Sequence, residues 1–509
     1  MTKEKNSNTG KNLAENISLT NPVYEFDEKK MEKDIELCRK QGLDQVFIRR
    51  RTVLFMDACR YAHDIAQKRW GINFAFYETG YDPVKRVFQS STLNKEAATI
   101  WLEKMKEDPS FGWQIVQELQ KFVEEEKKLA EDISNITLSK EEARFAILKH
   151  LDYMARFLGL IFLWFAVDPM KQEIDKHIKE QWKGSQKELE EFLEKVYRPV
   201  RFPVSSIEQR DLVNILKLEG MEAEDSLRKH QEKYKHLSLH HIDDDYFPLA
   251  YYQSRINSLQ DKTEYKHQKE ILESADKEIE EANKLLDSAN LSNELKKQIE
   301  FVRWFMYLRT ESVDNLMLLN KAYKPVIEFI AGHLNMSSNF VLNMTYKEII
   351  DSLKGLPTTG KDIIINRTKK GYAYFIGPEN SVLTTGEDIE KLEQSFIGNK
   401  PEIYIKELKG QIAFKGKIQG IARVILDRRK AYELKEGEIL VTAMTAPDFV
   451  PAMRLASGII TNEGGVLCHA AIMSRELRKP CIIGTKIATD AIKTGQMITL
   501  DADNGIVYL

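Results

Sequence analysis

The chain lacks several features that would commit it early to a class. Its four cysteines, Cys38, Cys59, Cys468 and Cys481, form no CxxC pair. That excludes a zinc ribbon or a disulfide framework and suits a reducing compartment. No apolar run approaches the roughly 20 residues of a membrane-spanning helix. The longest, "FLGLIFLWFAV" from Phe157 to Val167, reads as a buried helix. The first residues carry no apolar core of a secretory signal, so a cytoplasmic location is expected. A formal net charge of −3 gives no electrostatic case for nucleic acid or for an anionic membrane surface. What is there is ordinary for a soluble globular chain: 42% hydrophobic and 30% charged residues, mixed in sign along helical stretches.

Glycine and proline are absent between Pro248 and Pro325, a span no sheet-rich segment would keep free of turn formers. Residues 1–22 are polar, have no apolar period and are expected to be disordered. From residue 23 to 354 the chain reads as a helical domain, the pattern being overwhelmingly helical as far as about Leu334. Leu295, Ile299, Val302, Phe305, Leu308, Val313 and Leu316 recur at mostly three- and four-residue steps, a core-facing stripe. The break before it, "SANLSNEL", carries capping residues. Residues 355–405 read as a connecting segment: "DIIINRTKKGYAYFIG" is strand-like, and the polar stretch Ser381 to Lys400 is a candidate hinge. From 406 to 509 short strands and helices alternate, ending in a hairpin closed at "DNG".

"GLPTTGKD", Gly355 to Asp362, nearly matches the phosphate-binding loop GxxxxGK[ST]. It fails because Asp362 replaces the hydroxyl that would meet magnesium, and a carboxylate there repels phosphate. Its setting also fails, with the helix-like "YKEIIDSLK" before it and a strand-like segment after it. No GxGxxG run appears elsewhere. The chain is expected to have no nucleotide site of its own.

The sharpest chemistry lies in "TNEGGVLCHAAIMSREL". Thr461 ends an apolar strand, Gly464 and Gly465 leave room for a bulky anion, and His469 falls in the first turn of a helix. Unpaired amides and the helix dipole favour negative charge there, and a neutral imidazole is a nucleophile. The combination suits a histidine that accepts a phosphoryl group. A capping or surface histidine is the alternative from local physics alone.

Residues 406 to 509 resemble the phosphohistidine swivelling domain of the phosphoenolpyruvate-utilising enzymes, a family that includes phosphoenolpyruvate synthase, pyruvate phosphate dikinase and rifampin phosphotransferase. The similar segments are "GKIQGIARVI", "LKEGEILVTAMTAPDFVPAMRLASGIITNEGG", "CHAAIMSREL", "PCIIGT" and "LDADNGIVYL". The resemblance implies a multidomain protein, a large all-α N-terminal region followed by a C-terminal α/β swivelling phosphohistidine domain. It implies that His469 is the phosphorylated residue, with Thr461, Gly464, Gly465 and Arg475 supporting the phosphate. Cys468 reads as a packing residue, and Leu467 stands where some dikinases carry a regulatory threonine.

Neither the ATP-grasp domain nor the pyruvate-binding barrel of full-length relatives is recognisable here. The resemblance therefore implies a separate ATP-grasp partner using ATP and Mg2+ and releasing AMP and phosphate, with no cofactor certain on this chain itself. Residues 23–354 resemble the helical substrate domain of rifampin-phosphotransferase-like proteins through "LRKHQEKYKHLSLHHIDDDYFPL" and "FVRWFMYLRTESVDNLMLLNKAYKPVIEFIAGHL". They are expected to hold a small-molecule acceptor. Candidate acceptor residues are Arg303, Arg309, Glu311, His240 and His241. The loop from His236 to Asp245 could take a cation or form a solvated acidic cap, and the metal is unknown. Arg49, Arg50 and Arg51 with Asp57 form a further polar cluster in the sequence. The alternatives to a phosphotransferase subunit are a pure phosphocarrier and a non-catalytic scaffold that keeps the fold.

Overall fold

The computed structural model describes residues 31–41, 45–49, 52–70, 76–81, 84–89, 91–216, 218–259, 276–377, 380–386, 388–397, 406–445, 449–464 and 468–509. Residues 1–22, Arg50, Arg51, Gly465 and Leu467 lie outside them. The chain divides into two compact units; among the described residues one holds 57–70 and 92–359, the other 31–56, 76–91 and 360–509. Among the described residues no helix is long and apolar enough to cross a membrane.

The first unit is helical. Two helices, Lys140–Gln181 and Asn293–Leu334, are each 42 residues long. Their starts are set by hydroxyl caps: Ser139 accepts from the Glu142 amide and Ser292 from the Leu295 amide. The second of these is the break expected at "SANLSNEL". That helix stops at Asn335, whose φ of 52° places it in the left-handed region common at helix ends. Ile299, Val302, Phe305 and Leu308 are all buried, as their spacing predicts. The helix packs on Phe111–Ser134 and on Lys140–Gln181. Trp101 meets Phe301 edge-on with centroids 5.8 Å apart, and Phe122 stacks on Tyr153 at 5.6 Å. Burial of each such ring stabilises the fold by roughly 1.5–3 kcal/mol. The apolar run Phe157 to Val167 is inside the longer of its neighbours, Lys140–Gln181, with Phe157, Leu158, Ala166 and Val167 buried.

A polar knot sits inside this packing. Glu126 is 1% exposed and accepts from Ser312 Oγ at 2.5 Å, Asn315 Nδ2 at 3.0 Å and Tyr153 OH at 3.1 Å. Burial pushes its carboxyl up to about 8 in spite of those donors. His150, also buried, is held neutral; burial brings its pKa down to about 3, and its Nδ1 lies 2.6 Å from Tyr346 OH.

The second unit contains two sheets. In the first, β1 (Gln45–Arg49), β2 (Phe76–Tyr81), β3 (Val84–Gln89), β4 (Tyr372–Ile376) and β5 (Ser381–Thr384) run antiparallel in the order β1-β3-β2-β4-β5. The sequence pattern over 23–354 reads as overwhelmingly helical, and β1, β2 and β3 are what it misses; β4 falls in the segment read as strand-like, at "YAYFI". β2 completes itself against β4, Phe76 opposite Ile376, a partner too remote for local periodicity to reveal. The segment expected as linker and hinge is built up as far as Ile397: helix Lys361–Lys370, β4, β5 and helix Asp388–Ile397. Residues 398–405 lie outside the described ones. "DIIIN", expected as strand, is the start of the helix Lys361–Lys370. Asp362 in its first turn and Arg367, Lys369 and Lys370 in its last complement the helix dipole, and β-branched propensity is a weak prior against that context.

The last hundred residues form an eight-stranded mixed sheet, β6-β13-β12-β8-β9-β10-β11-β7. The strands are β6 (Glu407–Lys409), β7 (Gln411–Phe414), β8 (Lys417–Val424), β9 (Ile439–Thr442), β10 (Gly458–Thr461), β11 (Cys481–Ile483), β12 (Met497–Asp501) and β13 (Ile506–Tyr508). β8 to β11 are parallel; β9, β10 and β11 are buried and nearly all apolar, as strands covered on both faces must be, while β8 keeps Lys417, Gln419 and Ile421 exposed. Leu440, Ile459 and Cys481 pack on one side with Ala470 and Ala471; Val441, Ile460 and Ile482 pack on the other. β12 and β13 form the hairpin expected at "DNG", with Leu500 opposite Val507 and Gly505 at φ 72°.

Glu126 generates a stability prediction. Below pH 4.5 both folded and unfolded states hold its proton; between 4.5 and about 8 only the unfolded state ionises. Stability therefore falls as pH rises through that window, by at most ~1.4 kcal/mol per pH unit. Chemical denaturation of Glu126→Gln against the unaltered chain is expected to show a gain that grows from pH 4.5 to 8. A gain independent of pH contradicts the assignment.

Candidate functional site

Parallel pairing of β9 with β10 brings the carboxyl ends of both strands to one edge. In open α/β sheets the loops at that edge build the site. After β9 the chain gives Thr445; after β10 it gives Asn462, Glu463 and Gly464 and then enters helix His469–Glu476. Two backbone bonds lock these loops together: Asn462 N–H donates to Thr442 O at 3.1 Å and Glu463 N–H to Ala443 O at 3.0 Å.

His469 opens the helix, with Cys468 as its N-cap. The first-turn alanines, Ala470 and Ala471, are buried and let the helix lie close on the sheet. His469 Nδ1 is 2.8 Å from Thr445 Oγ1. Burial brings the imidazole pKa down to about 4, so the ring is neutral across the physiological range. A neutral ring carries one N–H and one lone pair. In the tautomer whose Nδ1–H donates to Thr445 Oγ1, the lone pair sits on Nε2 and makes that atom the nucleophile. If Nε2 then gains an electrophile, positive charge develops on the ring beside a hydroxyl oxygen already placed to receive the Nδ1 proton's dipole.

Thr461 is fully buried and donates its hydroxyl to Glu463 O at 2.6 Å, so it shapes the loop leading to the histidine. Gly464 adopts φ 116°, and a Cβ there would stand 2.6 Å from Cys468 Sγ. The glycine is required by both backbone shape and space. Gly465 lies outside the described residues. Arg475 is exposed near the helix end and donates Nε–H to Ala413 O at 3.2 Å, tying the helix to β7. It stands six residues beyond His469, about 9 Å along the axis. Burial pushes the Cys468 thiol up, which makes it a packing group and a poor thiolate.

The acceptor candidates, all in the helical unit, do not share one set of partners. Arg303 is buried and committed to Arg198 O and Asn283 Oδ1, both at 2.7 Å. Glu311 is buried and pairs with Lys127 Nζ at 2.6 Å and the Val204 amide at 3.3 Å. Arg309 is exposed. His240 and His241 are half-buried in the loop after a 3-10 turn; the His241 amide donates to Asp244 Oδ2 at 2.8 Å, and Lys324 holds the Asp244 carbonyl at 2.7 Å. Among the described residues no three His, Cys, Asp or Glu side chains are grouped to hold a metal ion. Asp57 is buried and paired with Arg60 at 3.2 Å, a structural position. Thr445 is the residue that sequence reasoning missed. Its signal was available: a hydroxyl three residues past the end of β9, beside the strand that leads to His469.

Residues 434–505 match the family described as "PEP-utilising enzyme, mobile domain". A probable phosphoenolpyruvate synthase of Archaeoglobus fulgidus is 50% identical over 101 residues, 20% of this chain and 13% of that protein. One from Methanothermobacter thermautotrophicus is 45% identical over 127 residues, 25% of this chain and 18% of its own. The phosphoenolpyruvate synthase of Pyrococcus furiosus is 46% identical over 124 residues, 24% of this chain and 14% of its own. The aligned part thus spans less than a fifth of these relatives. An α/β domain with a histidine at a helix start, and this degree of identity, define one class: the C-terminal domain is a mobile domain of the PEP-utilising enzyme family.

Two substitutions test the geometry. Thr445→Val is expected to leave the fold intact but release the Nδ1 tautomer, read as a change in the 15N shifts of the His469 ring; Thr445→Ser should restore them. Loss of such an orienting partner typically lowers reactivity about 10–100-fold. Unaltered shifts would remove Thr445 from the site. Gly464→Ala should destabilise the domain by about 1–3 kcal/mol in urea titration.

Proposed function

We propose that this chain is a phosphotransferase subunit working through phosphohistidine. A separate ATP-grasp protein, with ATP and Mg2+, charges His469 and releases AMP and phosphate. The mobile domain then delivers the phosphoryl group to a small-molecule acceptor in the helical region. In the first step Nε2 forms the N–P bond as the bond from the β-phosphorus to the AMP oxygen breaks; water then cleaves the terminal phosphate from the pyrophosphorylated ring, and in the second step an acceptor oxygen displaces Nε2. The observation that carries this reading is the neutral, desolvated imidazole whose Nδ1 is engaged by Thr445 at the mouth of a helix. Amides of that first turn suit a phosphate, and identity to phosphoenolpyruvate synthases over this domain supports the same chemistry.

The donor site on another chain is part of this reading, and the setting of the near match to a nucleotide loop supports it. "GLPTTGKD" comes after helix Tyr346–Lys354 instead of after a strand, and Asp362 lies in the first turn that follows it. Phosphoryl transfer depends on positioning and charge neutralisation, so its two half-reactions can be divided between chains.

Intact-mass analysis after incubation with Mg-ATP and an ATP-grasp protein is expected to show an acid-labile gain of one phosphoryl group. His469→Ala should abolish it, and retention of the gain in that variant refutes the assignment. Labelling should hold across neutral pH and fall as pH drops through about 4, where the ring protonates and loses its lone pair. Turnover of a small acceptor separates a transferase from a pure phosphocarrier.

A further inference from the structure

Helix Val204–Ile215 begins without a cap of its own. Its N-cap is Pro203, which has no side-chain acceptor to offer the first free amides. Two carboxylates from helix Asn293–Leu334 serve instead. Val204 N–H donates to Glu311 Oε2 at 3.3 Å and Ser205 N–H to Asp314 Oδ2 at 2.7 Å. Both acids are buried, and a helix N-terminus favours negative charge. Lys127, on helix Phe111–Ser134, donates to the other oxygen of Glu311 at 2.6 Å. The start of one helix is thus fastened to another by charge.

The fastened helix belongs to a group with its own core. Helices Val204–Ile215, Gly220–Tyr234 and Leu249–Leu259 gather Leu212, Ile215, Leu227, Tyr252 and Ile256 into one apolar cluster. Among the described residues no side chain of the two 42-residue helices belongs to it. Charge is settled inside the group as well. Glu208 accepts from Arg255 Nη1 at 2.6 Å and lies 2.8 Å from His230 Nε2, and Asp211 accepts from Tyr234 OH at 2.6 Å. Helix Asn293–Leu334 meets the group chiefly at two places, the start of Val204–Ile215 and the 3-10 turn Lys235–Ser238. The turn is anchored: Leu239 is fully buried, Asn320 Nδ2 donates to its carbonyl at 2.8 Å, and Lys324 Nζ donates to Asp244 O at 2.7 Å. Glu311 and Lys324 stand about 20 Å apart along their helix, so the two attachments are separate. An exposed ion pair from Arg210 to Asp276, at 3.4 Å, adds little.

We propose that these three helices form a lid that opens as one body about the turn Lys235–Asp244, with Glu311 and Asp314 as the latch that holds its leading helix shut. Opening hands the amides of Val204 and Ser205 to water and bares both carboxylates on the bundle. A group with its own core and its own ion pairs loses little inside itself when it moves, so the latch carries the cost. The latch responds to pH. Closed, burial raises the Asp314 carboxyl to about 6; the Ser205 amide and hydroxyl and the Lys127 charge oppose that rise, and Glu311 adds to it. Open, the carboxyl returns to its ordinary 3.8. The closed lid holds that proton more tightly, so opening becomes easier as pH rises from about 4 to 6 and levels off above. The lid rests on no phosphoryl chemistry and stands or falls apart from His469.

Hydrogen exchange of the full chain, read by mass spectrometry and corrected for intrinsic rates, tests this. Peptides from all three lid helices are expected to share one opening equilibrium, while helices Phe111–Ser134 and Asn293–Leu334 stay more protected. That shared opening should grow between pH 4 and 6. Asp314→Ala, which removes the acceptor of the Ser205 amide, should raise exchange about tenfold across all three helices together. Asp314→Asn keeps an acceptor oxygen and loses the charge, so it should remove the pH step with a smaller rise. Protection of the three helices equal to that of the bundle would overturn the proposal. So would a rise confined to the first turn of Val204–Ile215, which is fraying of one helix end, or a pH step that survives Asp314→Asn. The comparison of helices within the unaltered chain decides the matter even where a variant fails to fold.

Discussion

The contact between Thr445 Oγ1 and His469 Nδ1, 2.8 Å long, is the constraint on which the functional reading depends. An imidazole that turned freely would offer either nitrogen, and an imidazole in water would be partly protonated near neutrality. Here burial removes the second problem and the threonine the first. Neither residue arrives at the site by itself. Parallel pairing of Thr461 with Thr442 sets the two loops side by side, and the backbone bonds from Asn462 and Glu463 hold them in register. Gly464, with its positive φ, lets the chain turn from the strand into the helix without striking Cys468.

The helical unit solves a different problem, that of keeping polar groups inside long apolar helices. Glu126 is answered by three donors, Glu311 by Lys127 and the Val204 amide, Asp314 by the Ser205 amide at 2.7 Å, and Glu208 by both His230 and Arg255. Each of these carboxylates would be costly to bury unpaired. Against this background the Gln298 carbonyl stands out, a buried acceptor without a donor. Arg303, Glu311 and the histidine loop are by contrast held by partners within the fold.

Much of this was legible in the order of residues. Helix periodicity located the stripe of Asn293–Leu334 because its apolar positions repeat at short range, and "DNG" marked the final hairpin because only a few residues adopt the left-handed turn. His469 stood out because two glycines, a strand end and a helix start converge on it within a few residues. β4 was legible in "YAYFI", but the sheet of β1 to β5 as a whole was not, since β2 meets β4 far along the chain. "DIIIN" reads as strand by composition but lies in a helix with only Ile364 of its isoleucines buried, so its fate was settled by charges at its two ends and by what it packs against.

The sequence by itself determined which residue is the nucleophile candidate and where the closing hairpin turns, because both are written in neighbouring positions. Tertiary structure alone decided that Thr445 orients that ring and that Arg475 ties a helix to β7 at Ala413. These are properties of pairs of residues far apart in the chain. Their distances are set by strand pairing and helix packing, which no local pattern encodes.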